Sequence, residues 1–597
     1  MSDERSPILV ALTATHTPSP PLTPSRGSTA SNGAQLACEA LLAQAVSTLF
    51  GYPGGAALPL YRELARYPRL RHVLVRHEQN AAHAADGYAR ATGRVGVCVA
   101  TSGPGATNLL TGLATAFMDC VPVVAITGQV ARAAIGTQAF QEVDVVGMVA
   151  PITKAAFQIR TPEEIPHTFA EAFRIAREGR PGPVLIDLPK DVQLAPASDV
   201  RQPSLADHVP AARDELTPEA KFALDHVLGL LTEAKRPVVI AGHGVLMAGA
   251  TPDLQRFAVG TGVPVATTLL GLGGFAEHHP QALGMVGMHG TVQANLAMHH
   301  ADLIIGVGMR FDDRVVGRPK DFAPGARIVH IDVDPKAFGR VVRADVPVLA
   351  DAGAALRYLG QLGRWQDGVG WWDRLRAWTS EHADCSLVVD ADPAGAPSTP
   401  EVVRALRRVL GGAATLVADI GQHQMFVALH HGFERPGQLL TSGGLGTMGY
   451  ALPAAMGVKS AEPGRAVWAV VGDGGFQMSA PELSTLVASR LAVKVLVVNN
   501  RCLGMVRQWQ ELFYEGVYSH SLLPQPDFAA LARAHGCWAT TVERRDQLEG
   551  ALREAALHPG PAVIDVRVPV EETVLPMVPA GSTPGDVRCQ DAVNSAL

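Results

Sequence analysis

No apolar run in this sequence approaches the roughly 18 residues that a membrane-spanning helix needs. No long block of Lys and Arg occurs either, and the formal net charge is -6. A membrane anchor and bulk binding to nucleic acid are therefore not expected. Cysteine is sparse. Seven residues (Cys38, Cys98, Cys120, Cys385, Cys502, Cys537 and Cys589) are scattered, odd in number and without metal-binding spacing. They read as reduced thiols of a cytoplasmic protein, several of them in core strands. Charge is modest, at 18% against 47% hydrophobic residues, the balance of an ordinary soluble globular chain.

What the chain has in excess is glycine, 60 of 597 residues, against a usual share of about 7%. Much of it lies at the ends of apolar runs, where backbone can approach a ligand. The length predicts several domains rather than one core. Residues 1–33 are rich in Ser, Thr and Pro and read as a disordered tail. Asp3, Glu4 and the scarcity of Arg count against an organellar transit peptide. From residue 34 to 195, apolar runs ending in Gly, Pro or charge alternate with helical stretches, the pattern of βα units around a parallel sheet. A polar, Pro-rich linker follows from about Leu194 to Pro218. A second α/β block spans 215–370, a Trp-rich then Ala/Pro-rich connection runs to about Pro400, and a third block spans 398–580. Residues 581–597 read as a C-terminal tail. The fold class expected is α/β, with three doubly wound parallel-sheet domains. TSGPGATNLLTGLATAF from Thr101 and TSGGLGTMGYALPAAMG from Thr441 share a strand-end, glycine-loop and helix grammar, an internal echo between the outer blocks.

The most informative motif is Gly472-Asp473-Gly474, which ends the apolar run AVWAVV. The next apolar run, VKVLVVNN, ends in Asn499 and Asn500. Neighbouring strands of an open parallel sheet set their C-terminal ends side by side, and ligands bind there. Asp473 and Asn500 would then face each other across a crevice. A carboxylate and an amide oxygen are hard donors suited to Mg²⁺, which keeps positions for substrate phosphates. The glycines let backbone N–H groups approach a phosphate. Gly-Asp-Gly alone is equally compatible with a tight turn.

The pairing of GDG with NN resembles the signature of the thiamine diphosphate (ThDP) dependent decarboxylase and carboligase superfamily. The segment HEQNAAHAADGYARATG matches that superfamily's catalytic glutamate at Glu78. The resemblance implies that this carboxylate bonds the cofactor's aminopyrimidine and meets the diphosphate site of a second subunit. A homodimer would then be the minimal active unit, and a homotetramer is equally open. Ile420, Gly421, Gln422 and His423 match the loop along the diphosphate. Gly446 and Met448 match the segment under the cofactor, with Met448 as the wedge below its rings. Cys502 occupies the position whose backbone carbonyl would complete the metal site with Asp473 and Asn500.

Matches in order along nearly the whole chain (among them YPGGAALPLY, TSGPGATN, AFQEVDVVG, GRPGPVLIDLPKDV, GMHG, RFDDR, GMVRQWQELFYEG and VLPMVP) narrow the resemblance. They look like the large catalytic subunit of the acetohydroxyacid synthase (acetolactate synthase) family. That implies an N-terminal pyrimidine-binding domain, a central FAD-associated domain and a C-terminal domain for diphosphate and Mg²⁺. The FAD, with no net redox role, would contact Gly242, His243, Gly244, Thr268, Leu269, Met288, His289, Gly308, Arg310, Asp312, Asp332, Val333 and Asp351. The implied reaction decarboxylates pyruvate and joins the hydroxyethyl carbanion to pyruvate or 2-oxobutyrate, in the biosynthesis of branched-chain amino acids. Arg314 is the implied clamp for the acceptor carboxylate, and Trp509 packs on its alkyl group. Phe140, Gln141, Met505 and Val506 would line the entrance to the site. A small regulatory subunit is implied as a further partner. The rival readings are another ThDP enzyme, such as a pyruvate oxidase, a glyoxylate carboligase or a flavin-free synthase, and a non-catalytic nucleotide-binding scaffold. Glu78 argues against the carboligase, and RFDDR with Trp509 favours the biosynthetic synthase.

Overall fold

The computed structural model describes residues 31–197, 203, 215–361, 363–383, 385, 392 and 394–589. The expected N-terminal tail up to residue 30 and most of the Pro-rich linker lie outside these. Three six-stranded sheets, parallel throughout, organise the described residues. The first runs from edge to edge as Arg71–Leu74, Thr48–Gly51, Gly96–Ala100, Val123–Gln129, Val184–Pro189 and Ala155–Gln158. The third runs as Leu439–Thr441, Thr415–Ala418, Val467–Gly472, Val493–Asn499, Ala562–Arg567 and Trp538–Val542. In chain order both read second, first, third, fourth, sixth, fifth, so the faint sequence echo between the outer blocks is a shared topology. The middle sheet runs as Ala282–Met285, Val265–Thr267, Pro237–Ala241, Leu303–Val307, Arg327–Asp332 and Val346–Leu349. It has the strand order of a dinucleotide-binding fold.

The central strands are continuous apolar runs because both sheet faces are covered by helices. All seven residues of Val493–Asn499 are buried, as are those of Val123–Gln129. Strands without such a run escaped the sequence reading. Ala155–Gln158 and Trp538–Val542 are edge strands, only partly buried, and Val265–Thr267 has three residues.

The outer domains are joined by a close helix pair. Helix Glu78–Thr92 lies against helix Ala451–Ala461, and one hydrophobic core runs through both domains. Gly87 faces the Ala454 carbonyl and Gly457 faces the Ala84 carbonyl so closely that a Cβ on either would overlap that oxygen. Overpacking of this kind typically costs about 1–3 kcal/mol. The pair therefore fixes how the Glu78 end of the first domain stands on the third.

Three sequence expectations change. The Trp-rich stretch, expected as a connection, supplies helix Trp371–Glu381, which buries Trp371, Leu375 and Trp378 in the core of the middle domain. The segment from Gly581, expected as a tail, continues the fold to Cys589, with Arg588 bridging to Met577. The thiols are not all reduced: Cys385 and Cys589 form a disulfide, their Cα atoms 5.0 Å apart. A separation of 204 residues hides that pair from any spacing rule. The other five cysteines are free. Among the described residues, no helix is long and apolar enough to cross a membrane.

Candidate active site

In a doubly wound sheet the ligand crevice opens at the strand ends where the order reverses. In the third sheet that point lies between Thr415–Ala418 and Val467–Gly472, with Val493–Asn499 beyond. Gly472 is paired with Val498, so the next residues on each strand, Asp473 and Asn499–Asn500, emerge side by side. The carboxylate of Asp473 accepts from its neighbour Gly474 N–H (2.8 Å) and from Gln525 Nε2 (2.6 Å), and the nearby backbone N–H groups of Arg501 and Cys502 favour its charged form. Asn500 Oδ1 accepts from Cys502 N–H at 3.2 Å. The two strand tips are thus one structural unit.

Burial pushes the Asp473 carboxyl up to about 7, against the pull of its backbone donors and with a push from Asp565. The residues fit a magnesium site on this ground: a buried carboxylate and an amide oxygen, both hard oxygen donors, stand together at the cavity wall. No cluster of three His, Cys, Asp or Glu side chains suited to a metal occurs among the described residues.

The crevice belongs to a cavity of about 1560 Å³, beyond the roughly 300–1,000 Å³ of a pocket for one small ligand. It has room for two extended groups. From the third domain it is lined by Ile420, Gly421, Gln422, His423, Gly446, Met448, Gly472, Asp473, Gly474, Asn500, Cys502, Met505, Val506 and Trp509. The Met448 methyl comes within 3.4 Å of where a Cβ on Gly474 would stand, directly under the acidic turn. His423 is buried, which holds its ring well below the ordinary histidine range, at about 4, and its backbone partner Asp419 pulls it back only in part. Its Nε2 has no protein partner, an orphan at the cavity wall that a phosphate oxygen would satisfy once the ring is protonated.

The middle domain lines the other part with His243, Gly244, Thr268, Leu269, Met288, His289, Gly308, Arg310, Asp312, Arg314, Asp332, Val333 and Asp351. Gly242 lies behind this wall, packed on Gly308 and Met309. The RFDDR segment holds ion pairs as well as lining the cavity. Arg310 Nε is 3.3 Å from Asp312, and Arg314 Nε is 3.6 Å from Asp313. Burial raises the carboxyls of Asp312 and Asp332 above the usual range.

Glu78, Phe140 and Gln141 do not line this cavity. They gather at the corresponding end of the first sheet. Glu78 opens helix Glu78–Thr92, capped by His77, and Asn108 Nδ2 donates to its Oε2 at 2.9 Å. Gly105 and Gly103 lie beside it, and Gln141, in a left-handed conformation, sits against Gly103. Phe140 is 87% exposed, which is unusual for an aromatic ring of that size. This group stands apart from the lining of the cavity that holds Asp473 and Asn500.

Several functional positions escaped the sequence reading. Asp419 is fully buried and accepts from the N–H groups of Gly449 (3.0 Å), Tyr450 (2.9 Å) and Ala451 (3.3 Å), which fixes the loop holding Met448. Asp119 lines the cavity from the first domain. Gln525 grips Asp473 from 52 residues away. Asp119 and Gln525 belong to no motif, and Asp419 stands directly before Ile420 of the diphosphate-loop match.

Three family models match successive parts of the chain: the thiamine pyrophosphate enzyme N-terminal TPP binding domain over residues 31–148, the central domain over 224–359 and the C-terminal TPP binding domain over 419–566. The fold and the site are those of a thiamine pyrophosphate enzyme. The chain is 44% identical over 590 residues to the acetolactate synthase large subunit of Corynebacterium glutamicum, covering 96% of this chain and 93% of that protein. It is 45% identical over 568 residues to acetolactate synthase of Mycobacterium bovis, covering 93% and 91%. It is 44% identical over 557 residues to the acetolactate synthase isozyme 2 large subunit of Escherichia coli, covering 92% and 98%. The chain belongs to the acetolactate synthase large-subunit family.

Proposed function

We propose that the protein decarboxylates pyruvate and joins the two-carbon unit to a second 2-oxoacid, pyruvate or 2-oxobutyrate, as the catalytic subunit of an acetolactate synthase in branched-chain amino acid biosynthesis. The observation that carries this reading is the adjacency of Asp473 and Asn500 at neighbouring strand tips, above Met448 and beside the Gly421–His423 loop. These residues suit a Mg²⁺-bound diphosphate, with Asp473, Asn500 and the Cys502 carbonyl as metal donors. ThDP, when bound, supplies the electron sink for decarboxylation and carbon–carbon bond formation.

The chain's own residues do the rest. Glu78 holds and moves a proton at the aminopyrimidine end, its carboxyl turned by the bond from Asn108. Because Glu78 stands outside the cavity that contains Asp473, the reading requires a second copy of the chain, with each copy completing the other's site. The exposed Phe140 ring suits such a contact, next to Gln141 at the site entrance. Arg314 would hold the acceptor's carboxylate. Trp509 stacks edge-on with Phe513, ring centres 5.4 Å apart, and with Met505 forms the wall for the acceptor's alkyl group. The middle-domain part of the cavity suits FAD, with Arg310 for its diphosphate and Asp332 for a ribose hydroxyl. The names of the relatives as large subunits support a small regulatory partner.

The test is product analysis of the purified protein with pyruvate alone and with added 2-oxobutyrate, with and without ThDP, Mg²⁺ and FAD. Acetolactate, plus the acetohydroxybutyrate homologue in the mixed case, is expected only when ThDP and Mg²⁺ are present. Acetaldehyde or acetyl phosphate as the main product would overturn the assignment.

A further inference from the structure

Asn500 must present its carbonyl oxygen, not its amide nitrogen, to a cation. An amide side chain is nearly symmetric in shape, so something must fix which end points inward. The polarity of a hydrogen-bond chain behind the site does this. Gln508 is fully buried and lies outside the cavity lining. It grips the backbone of Val574 with both ends of its amide: Val574 N–H donates to Oε1 at 2.9 Å, and Nε2 reaches the Val574 carbonyl at 3.3 Å. Backbone groups cannot exchange donor for acceptor, so this grip settles the orientation of Gln508. Its Oε1 also accepts from Gln422 Nε2 at 2.8 Å, and that same nitrogen donates to the Glu572 carbonyl at 2.7 Å. The Gln422 amide is thereby oriented too. Its Oε1 is left to accept, and Asn500 Nδ2 donates to it at 3.3 Å. Asn500 then has its nitrogen turned away and its Oδ1 toward the Asp473 side, where Cys502 N–H also holds it. Gly504 passes so close to Gln422 Oε1 and Asn500 Nδ2 that a Cβ there would overlap both.

We propose that Gln508 is a positioning residue for the metal site, acting through Gln422 to fix the oxygen of Asn500 toward the cation. The proposal rests on the reading of Asp473 and Asn500 as metal donors. Partners behind a ligand typically command about 10- to 100-fold in metal affinity.

The experiment titrates the full-length protein, with ThDP present, with Mn²⁺ as the probe, and reads free Mn²⁺ by electron paramagnetic resonance. Gln508→Leu is expected to weaken Mn²⁺ binding about 10- to 100-fold. Gln422→Leu gives a loss like that of Gln508→Leu, and the two together lose no more than either alone. Asn500→Asp offers oxygen at both ends, so in that background Gln422→Leu no longer changes the affinity. That last pair decides the matter even if Gln508→Leu does not fold. Unchanged Mn²⁺ affinity in Gln508→Leu, additive losses, or the same loss from Gln422→Leu in both backgrounds overturns the proposal. Failure of the underlying site reading looks different: the parent itself fails to bind Mn²⁺, or Asp473→Asn leaves its affinity untouched, and the proposal then falls with it.

Discussion

The carboxylate of Asp119 accepts a hydrogen bond from the N–H of Gly444 at 2.6 Å, across 325 residues of sequence. Its other oxygen accepts from Gly443 N–H at 3.0 Å and from Arg90 at 2.8 Å, and its backbone carbonyl meets His243 of the middle domain at 3.1 Å. One buried residue of the first domain thus ties together all three domains beside the cavity. Arg90 is also held by Asp86, whose carboxylate accepts from Tyr450 at 2.6 Å.

Asp119→Ala removes one of the two carboxylates of Arg90 and takes the acceptor from two half-buried N–H groups, those of Gly443 and Gly444. Loss of one member of a buried ionic cluster costs on the order of 3 kcal/mol. The expected outcome is a clear drop in the thermal unfolding midpoint, with weakened retention of FAD as the domains loosen. An unchanged midpoint in calorimetry would show that the junction carries no such strain-bearing role.

Glu78→Gln keeps the size of the side chain and removes its capacity to exchange a proton. A positioned acid–base group is typically worth about 100- to 10,000-fold in rate. Turnover should fall by that order while ThDP still binds. Calorimetric titration with ThDP, run alongside the assay, separates lost binding from lost chemistry.

Trp509→Leu removes an indole wall from the acceptor pocket. A methylene held in such a pocket is worth roughly 1–3 kcal/mol. With pyruvate and 2-oxobutyrate in competition, the share of the larger product should drop several-fold. A product ratio equal to that of the parent would remove Trp509 from the acceptor role.

Glu277 links the middle domain to the third: its N–H donates to the Phe433 carbonyl at 3.0 Å, and its carboxylate accepts from the Phe433 N–H. Burial raises its carboxyl from 4.5 to about 7, although that N–H and the nearby Arg407 oppose the shift. Between those values the folded chain keeps a proton that the unfolded chain has released. Stability is therefore lost as pH rises through this window. Glu277→Gln keeps an acceptor for Phe433 and cannot ionise. Its unfolding midpoint, relative to the parent, should climb from about pH 5 to about pH 8. Other raised carboxyls, such as Asp419 and Glu572, are shared by both proteins and cancel in the comparison. A constant difference across the range would assign the bond no titrating role.

The three parallel sheets and the meeting of Asp473 with Asn500 were legible because apolar runs with glycine-rich ends carry a local signature. Buried strands need to be apolar on both faces, and a phosphate-binding turn needs glycine close by. Asp119 and Gln525 were not legible, and Asp419 and Gln508, though they stand within or beside matched motifs, carried no sign of their roles. Each acts on a backbone or side-chain group brought near by the fold alone, and an isolated acid or amide looks the same in sequence whether it is solvated or spent on such a bond. The edge strand Trp538–Val542 was missed for a related reason: with one edge uncovered, it carries no continuous apolar run.

The pairing of Cys385 with Cys589 encloses the whole third sheet, Thr415–Ala418 through Ala562–Arg567, in a closed loop of chain. A protease that nicks any surface turn between those two cysteines releases nothing: the pieces travel as a single species on a gel until a reductant parts them. The C-terminal domain is in this sense a bead on a covalent ring, and only its thiol chemistry decides whether a cut there frees a fragment.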